Sequence, residues 1–168
     1  MHRSLLLLAA FAVSTESLRA EEPELVEATF LVTGLHCPPC TRTVEASIAP
    51  LPGVQSIVVD WKTKAAKVTF DPAATSAWSI VQRVSQTRHM MGGRLKYAAW
   101  LGLSVPELKD DRAAAAIKST LQDVEGVAAV SVYPKQHIVA VLFDGKTEVE
   151  VEELMRAIKE AGYEAQLY

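Results

Sequence analysis

Apolar and polar positions follow two periods along this chain, and the order in which those periods succeed one another occurs twice. From Val26 to Thr33, Ala28, Phe30 and Val32 alternate with Thr29, Leu31 and Thr33, the two-residue period of a strand. Val44, Ile48 and Leu51 then recur at i, i+4 and i+7, which places an amphipathic helix at about Thr41–Ala49. Strands are predicted at Val54–Trp61 and at Ala65–Phe70, where Ala66, Val68 and Phe70 share one face. A helix over Ser76–Thr87 and a short strand near Arg94–Tyr97 follow. The series then begins again: strand Ala98–Val105, helix Asp110–Val124, strands Val127–Tyr133 and His137–Phe143, helix Glu148–Ala161 and strand Tyr163–Leu167.

Matching the chain against itself shows that this is a true internal repeat. Leu51–Val54 (LPGV) falls on Val124–Val127 (VEGV), an offset of 73. At that offset Val44 meets Ile117, Ile48 meets Leu121, Val68 meets Val141, Phe70 meets Phe143 and Asp71 meets Asp144. One added residue after Asp144 brings Ile80 onto Leu154 and Val84 onto Ile158. Each half therefore reads βαββαβ. An antiparallel sheet with two helices on one face is the α+β, ferredoxin-like sandwich, here in two tandem copies.

The first twenty residues belong to neither copy. Arg3 precedes the apolar run Leu5–Val13, and polar residues follow to Ala20, the layout of a secretory signal. The run is far below the roughly 20 residues needed to span a bilayer. The expected organisation is a leader at 1–20, a first unit at 25–97 and a second at 98–168, with a secreted or periplasmic destination and no stable membrane insertion after cleavage. Removing the leader takes Lys plus Arg from 17 to 15 and Asp plus Glu from 20 to 19, a net charge of about −4. With no basic patch, nucleic acid is not an expected partner. No GxSxG, HExxH or phosphate-cradling glycine loop is present, so no enzyme is predicted.

The candidate chemistry is concentrated in Gly34–Cys40 (GLHCPPC), whose Cys37 and Cys40 are the only cysteines in the chain. A predicted strand delivers this loop and a predicted helix begins at or just after its second cysteine. The positive end of the helix dipole favours thiolates there. Such a pair serves either as a soft-metal clamp or as a redox dithiol. Cu(I), Zn(II) and Hg(II) all take soft sulfur donors, and two thiolates on a short loop can converge on one ion while leaving a coordination position open. The rival use is a thiol–disulfide oxidoreductase. Against it, no aromatic residue precedes the cysteines and no long parallel βαβ pattern follows them.

These features together resemble the heavy-metal-associated domain family of soft-metal chaperones, mercury-binding periplasmic proteins and modules of metal-pumping ATPases. Gly34, Cys37 and Cys40 match the family's GMTCxxC loop, while Leu35 replaces its methionine and His36 its threonine. The resemblance implies that one soft ion, Cu(I) foremost, is held by Cys37 and Cys40 and passed by thiolate exchange to or from a metal-donor or metal-acceptor protein. In the family the loop after the second helix approaches the metal loop, which makes His89 a candidate ligand or shield beside His36. Met90 and Met91 add two thioethers that favour Cu(I), although they could instead fill the base of the sandwich.

The second half has lost the motif. Cys37 falls on Asp110, Cys40 on Ala113 and Gly34 on Glu107. Asp110 and Asp111 read as capping carboxylates of the helix that follows, not as ligands. His137 is expected at the surface where a strand begins. The junction His89–Val105 contains no Ser- or Pro-rich linker, so the last strand of the first half should run almost directly into the first strand of the second, with Trp100 near the interface.

Overall fold

The computed structural model describes residues 24–168; the predicted leader lies outside them. Strand β1 (Val26–Thr33) leads to helix α1 (Cys40–Ile48), then to strands β2 (Val54–Val59) and β3 (Ala65–Phe70) and helix α2 (Ala77–Gln86). The second series runs β4 (Ala98–Ser104), α3 (Asp111–Gln122), β5 (Val127–Tyr133), β6 (Ile138–Phe143), α4 (Val151–Glu160) and β7 (Gln166–Leu167). The helices and strands stand close to where the periodicity puts them, and the antiparallel sheet with its helices on one face is the predicted ferredoxin-like arrangement.

The two series form one sheet, not two. Its order is β2-β3-β1-β4-β6-β5, with β7 also paired to β4. The expected strand at Arg94–Tyr97 is absent; that segment contributes a single bridge, Arg88 to Lys96. β4 instead closes the first series and opens the second. One of its edges receives β1, with Phe30 opposite Leu101 and Thr33 opposite Ala98, and the other receives β6, with Leu101 opposite Val141 and Ser104 opposite Ile138. β7 takes up the first edge where β1 leaves it. Leu103 pairs with Leu167, and the Tyr168 carbonyl accepts from the Thr29 amide at 2.6 Å.

A strand shared in this way merges the two hydrophobic interiors. Phe30, Leu101 and Val141 are adjacent across three strands, all buried on the helix-bearing face, and Ala99 and Leu103 extend the row. Behind them lie Val44, Ile48, Ile80 and Val84 of the first pair of helices and Ile117, Leu121, Leu154 and Ile158 of the second, in one contiguous core. Trp100 points to the opposite, helix-free face beside Leu31, and so does sit on the strand common to both units. Gly102 follows it on that face because the backbone carbonyl of Thr29 and the ring of Tyr168 leave no room for a Cβ.

His137 departs from expectation. It closes the turn between β5 and β6 in a left-handed conformation, φ 56°, with its Nδ1 2.8 Å from the Leu108 carbonyl. That bond ties the β5–β6 turn to the segment that follows β4.

Because Leu101 belongs to both interiors, Leu101→Ala is expected to lower stability by about 2–5 kcal/mol. Urea unfolding followed by far-ultraviolet circular dichroism and by tryptophan fluorescence should still give a single coincident transition. Two resolved transitions would show the units to be independent.

Candidate metal centre

The site is built where two chain crossings meet at one tip of the sheet. β1 ends in Gly34 at φ +84°, a conformation that glycine adopts without penalty, and a Cβ there would collide with the Lys96 carbonyl. The close approach of these two backbones sets the position of the loop. Leu35 is buried beneath it. His36, Pro38 and Pro39 are exposed, Cys37 is half-buried and Cys40, the first residue of α1, is fully buried.

The prolines act as their chemistry predicts. Pro38 and Pro39 supply no amide donors at the helix entry, while the Cys40 amide donates to the Cys37 carbonyl at 2.9 Å and the Thr41 hydroxyl to the Pro38 carbonyl at 3.0 Å. No side chain caps α1 and no acidic residue lies in its first turn. Its unneutralised positive end therefore faces the sulfurs, which favours the thiolate form of the reduced pair. Cys37 and Cys40 are joined as a disulfide with their Cα atoms 5.4 Å apart. One loop thus brings both sulfurs together; the dithiol, two electrons more reduced, is the form whose thiolates could take an ion.

The second crossing is the loop from α2 to β4. His89, only 4% exposed, stacks on Tyr97 with ring centroids 4.3 Å apart. Its Nε2 is 2.8 Å from the Gly34 carbonyl, and its Nδ1 is 3.2 Å from the Met91 amide. Since a carbonyl can only accept and an amide N–H can only donate, the ring is the neutral tautomer with the proton on Nε2. Both nitrogens are thus engaged by backbone, and the imidazole pins the second loop to the first. His36 lies over it with ring centroids 5.5 Å apart. The Met90 amide donates to the Tyr97 hydroxyl at 3.3 Å, and Gly92 and Gly93, at φ +70° and +71°, turn the chain back toward β4.

The methionines do not fill the base of the sandwich. Met90 is 50% and Met91 59% exposed, and the Met90 thioether sulfur is 3.4 Å from the sulfur of Cys37. The Gly92–Gly93 turn holds them outside the core, and Met90 reaches Cys37. Tyr97, 1% exposed, was expected merely to end a strand. The repeat gives no sign of its role as the platform for His89.

Among the described residues no three or more His, Cys, Asp or Glu side chains cluster so as to hold a metal. In the second half the equivalent helix end is occupied differently. The Asp110 carboxylate accepts from the Ala113 amide at 2.8 Å, the capping role expected of it, and Asp111 adds a second negative charge to the first turn. The carboxylates of Asp60, in the β2–β3 turn, and Asp144, after β6, are held below their ordinary range, each mainly by backbone amides that donate to it.

The chain belongs to the heavy-metal-associated domain family, whose model matches residues 29–89 and 103–164. Copper-transporting ATPase 2 of Homo sapiens is 24% identical over 90% of this chain and 12% of its own length. The copper-exporting P-type ATPase of Bacillus subtilis is 26% identical over 86% and 17%. The mercuric transport protein periplasmic component of an Alcaligenes species is 39% identical over 54 residues, 32% of this chain and 59% of that protein. The chain thus spans a small fraction of the ATPases and rather more than half of the mercuric protein. Of solved structures, the water-soluble region of the P-type ATPase CopA from Bacillus subtilis aligns with 87% of this chain and 93% of its own at 25% identity and TM-score 0.42. Oxidised MerP from Ralstonia metallidurans CH34 aligns with 45% and 96% at 27% identity and TM-score 0.38.

Replacing His89 with alanine removes the pin between the loops and leaves the Gly34 carbonyl and Met91 amide unpartnered. A loss of about 1–3 kcal/mol is expected. Thermal unfolding measures the loss, and shifted amide resonances at Gly34 and Met91 would locate it. Unchanged resonances there would mean that the loops are held by other contacts.

Proposed function

We propose that this protein is an exported carrier of a single soft metal ion, Cu(I) foremost and Zn(II) or Hg(II) otherwise, held by the thiolates of Cys37 and Cys40. The observation that carries this reading is the convergence of both sulfurs on one loop at the uncapped N-terminus of α1. Membership of a heavy-metal-associated family, with copper and mercury transporters among the relatives, supports it. Export rests on the leader pattern at 1–20, which makes a secreted or periplasmic location part of the same proposal. No helix among the described residues is long and apolar enough to cross a membrane.

In this reading the reduced unit at 25–97 binds the ion with release of two protons, one from each thiol. Handover to a metal-acceptor protein proceeds by exchange. An incoming thiolate forms a bond to the ion as one sulfur of this chain leaves and takes up a proton; a second exchange completes the transfer, and loading from a donor protein is the reverse. His89 positions the loop, and His36 lies at its exposed rim, available to the ion as it enters. The unit at 98–168, without cysteines, completes the shared sheet and offers surface to the partner. No step is catalytic.

The joined sulfurs favour a second reading, a thiol–disulfide oxidoreductase that cycles the same pair. One set of measurements separates the two. Anaerobic titration of the reduced protein with Cu(I), Zn(II) and Hg(II) is expected to give one ion per chain, lost in Cys37→Ser and in Cys40→Ser. Unchanged stoichiometry in either variant would remove the site, and metal-independent turnover of a disulfide substrate would favour the oxidoreductase.

A further inference from the structure

We infer that Met90 is a third sulfur donor of the same centre, making it a two-thiolate, one-thioether site selective for Cu(I). The inference rests on the dithiolate reading above and adds to it a residue and a cargo.

Three observations converge. Met90 Sδ lies 3.4 Å from Cys37 Sγ, a distance at which a small shift of either side chain lets both sulfurs reach one ion. Met90 is held there by backbone: its amide donates to Tyr97, and its neighbours His89 and Met91 are tied to the Gly34 carbonyl and to the His89 ring. The side chain itself is half-exposed and unbranched, with rotatable bonds free to follow an ion. His89 cannot take this place without giving up the bonds that join the loops. Met91 is also exposed, and it is Met90 whose sulfur lies against Cys37.

The chemistry of the donors sets the preference. A thioether is neutral and soft; it gives a lone pair and releases no proton, so it adds to Cu(I) without altering the two protons lost by the thiols. Zn(II) gains little from such a donor, because it favours anionic thiolate, imidazole and carboxylate ligands in a tetrahedral set. Hg(II) is satisfied by two thiolates in line. The third sulfur therefore discriminates among ions that the cysteine pair alone would all accept.

The test uses the full chain, reduced with a phosphine and handled anaerobically, with Met90→Leu and Met91→Leu as variants of nearly equal volume. Competition with a chromophoric Cu(I) chelator should show Cu(I) affinity falling about tenfold or more in Met90→Leu, the scale on which individual partners of a metal site act. Met91→Leu should bind Cu(I) as the unaltered protein does, and neither variant should change Zn(II) or Hg(II) affinity or the proton release. Selenomethionine-labelled protein should give a copper–selenium path in X-ray absorption that survives Met91→Leu and vanishes in Met90→Leu. A missing copper–selenium path in the unaltered protein, or equal losses in both variants, would overturn the inference. The carrier reading would then still stand if one Cu(I) remained dependent on Cys37 and Cys40, and would fall with it if that dependence were absent.

Discussion

Two backbones in contact at the end of a shared strand fix everything at this tip of the molecule. Gly34 leaves β1 against the carbonyl of Lys96, and one residue later Tyr97 brings the chain into β4, which pairs with β1. The strand that supplies the rigid floor of both cores thus begins beside the metal loop. Tyr97 is buried because β4 is; His89 is fixed because Tyr97 and Gly34 are. A cysteine loop on an isolated hairpin would have to be ordered by the ion itself, at an entropic cost. Here the sheet has already placed it.

The repeat shows how one fold position can serve opposite purposes. At the N-terminus of α1 the helix dipole is left open toward two sulfurs, with prolines in place of amide donors. At the N-terminus of α3, Asp110 accepts an amide hydrogen bond and Asp111 adds charge, which stabilises the helix and consumes the same positive potential. Under the proposed carrier role, a carboxylate cap suits a unit that only supports the fold and two uncapped thiolates suit one that holds an ion. The first series has no fourth strand of its own. It takes β4, the opening strand of the second, so that the sheet of the cysteine-bearing half is completed only in the company of the other.

Much of this was legible in the residues, and the exceptions have a common cause. Alternation at Ala66–Phe70 and at Val139–Phe143, and the helical spacing of Val44 and Ile48, are local properties, so element type and face followed directly. The first helix, expected at about Thr41–Ala49, begins one residue earlier, at Cys40. What alternation does not record is which edges pair. Arg94–Tyr97 was expected as a strand because each half needs a fourth one, whereas β4 serves as the fourth strand of the first half and the first strand of the second. Of the two readings of Met90 and Met91, filling the base of the sandwich fails because the left-handed turn at Gly92 and Gly93 carries them outward. The neighbourhood of His89 with the metal loop was implied by family resemblance. That both its nitrogens are engaged depends on a carbonyl 55 residues away, which no local pattern encodes.

Under the proposed carrier role, the unequal exposure of the two sulfurs orders the exchange. Cys40 sits in the first turn of α1 and is wholly buried, its backbone bonded to the Cys37 carbonyl, so it moves only with the helix. Cys37 is half-buried on the loop, with the flexible Met90 side chain against it and solvent beyond. An incoming thiolate meets the Cys37 side first, and the bond to Cys40 is the one that persists until the ion has a new partner. The same asymmetry governs the redox alternative, because attack on a disulfide falls on the accessible sulfur and expels the other. A site that guards one sulfur and offers the other is therefore suited to stepwise release in either chemistry.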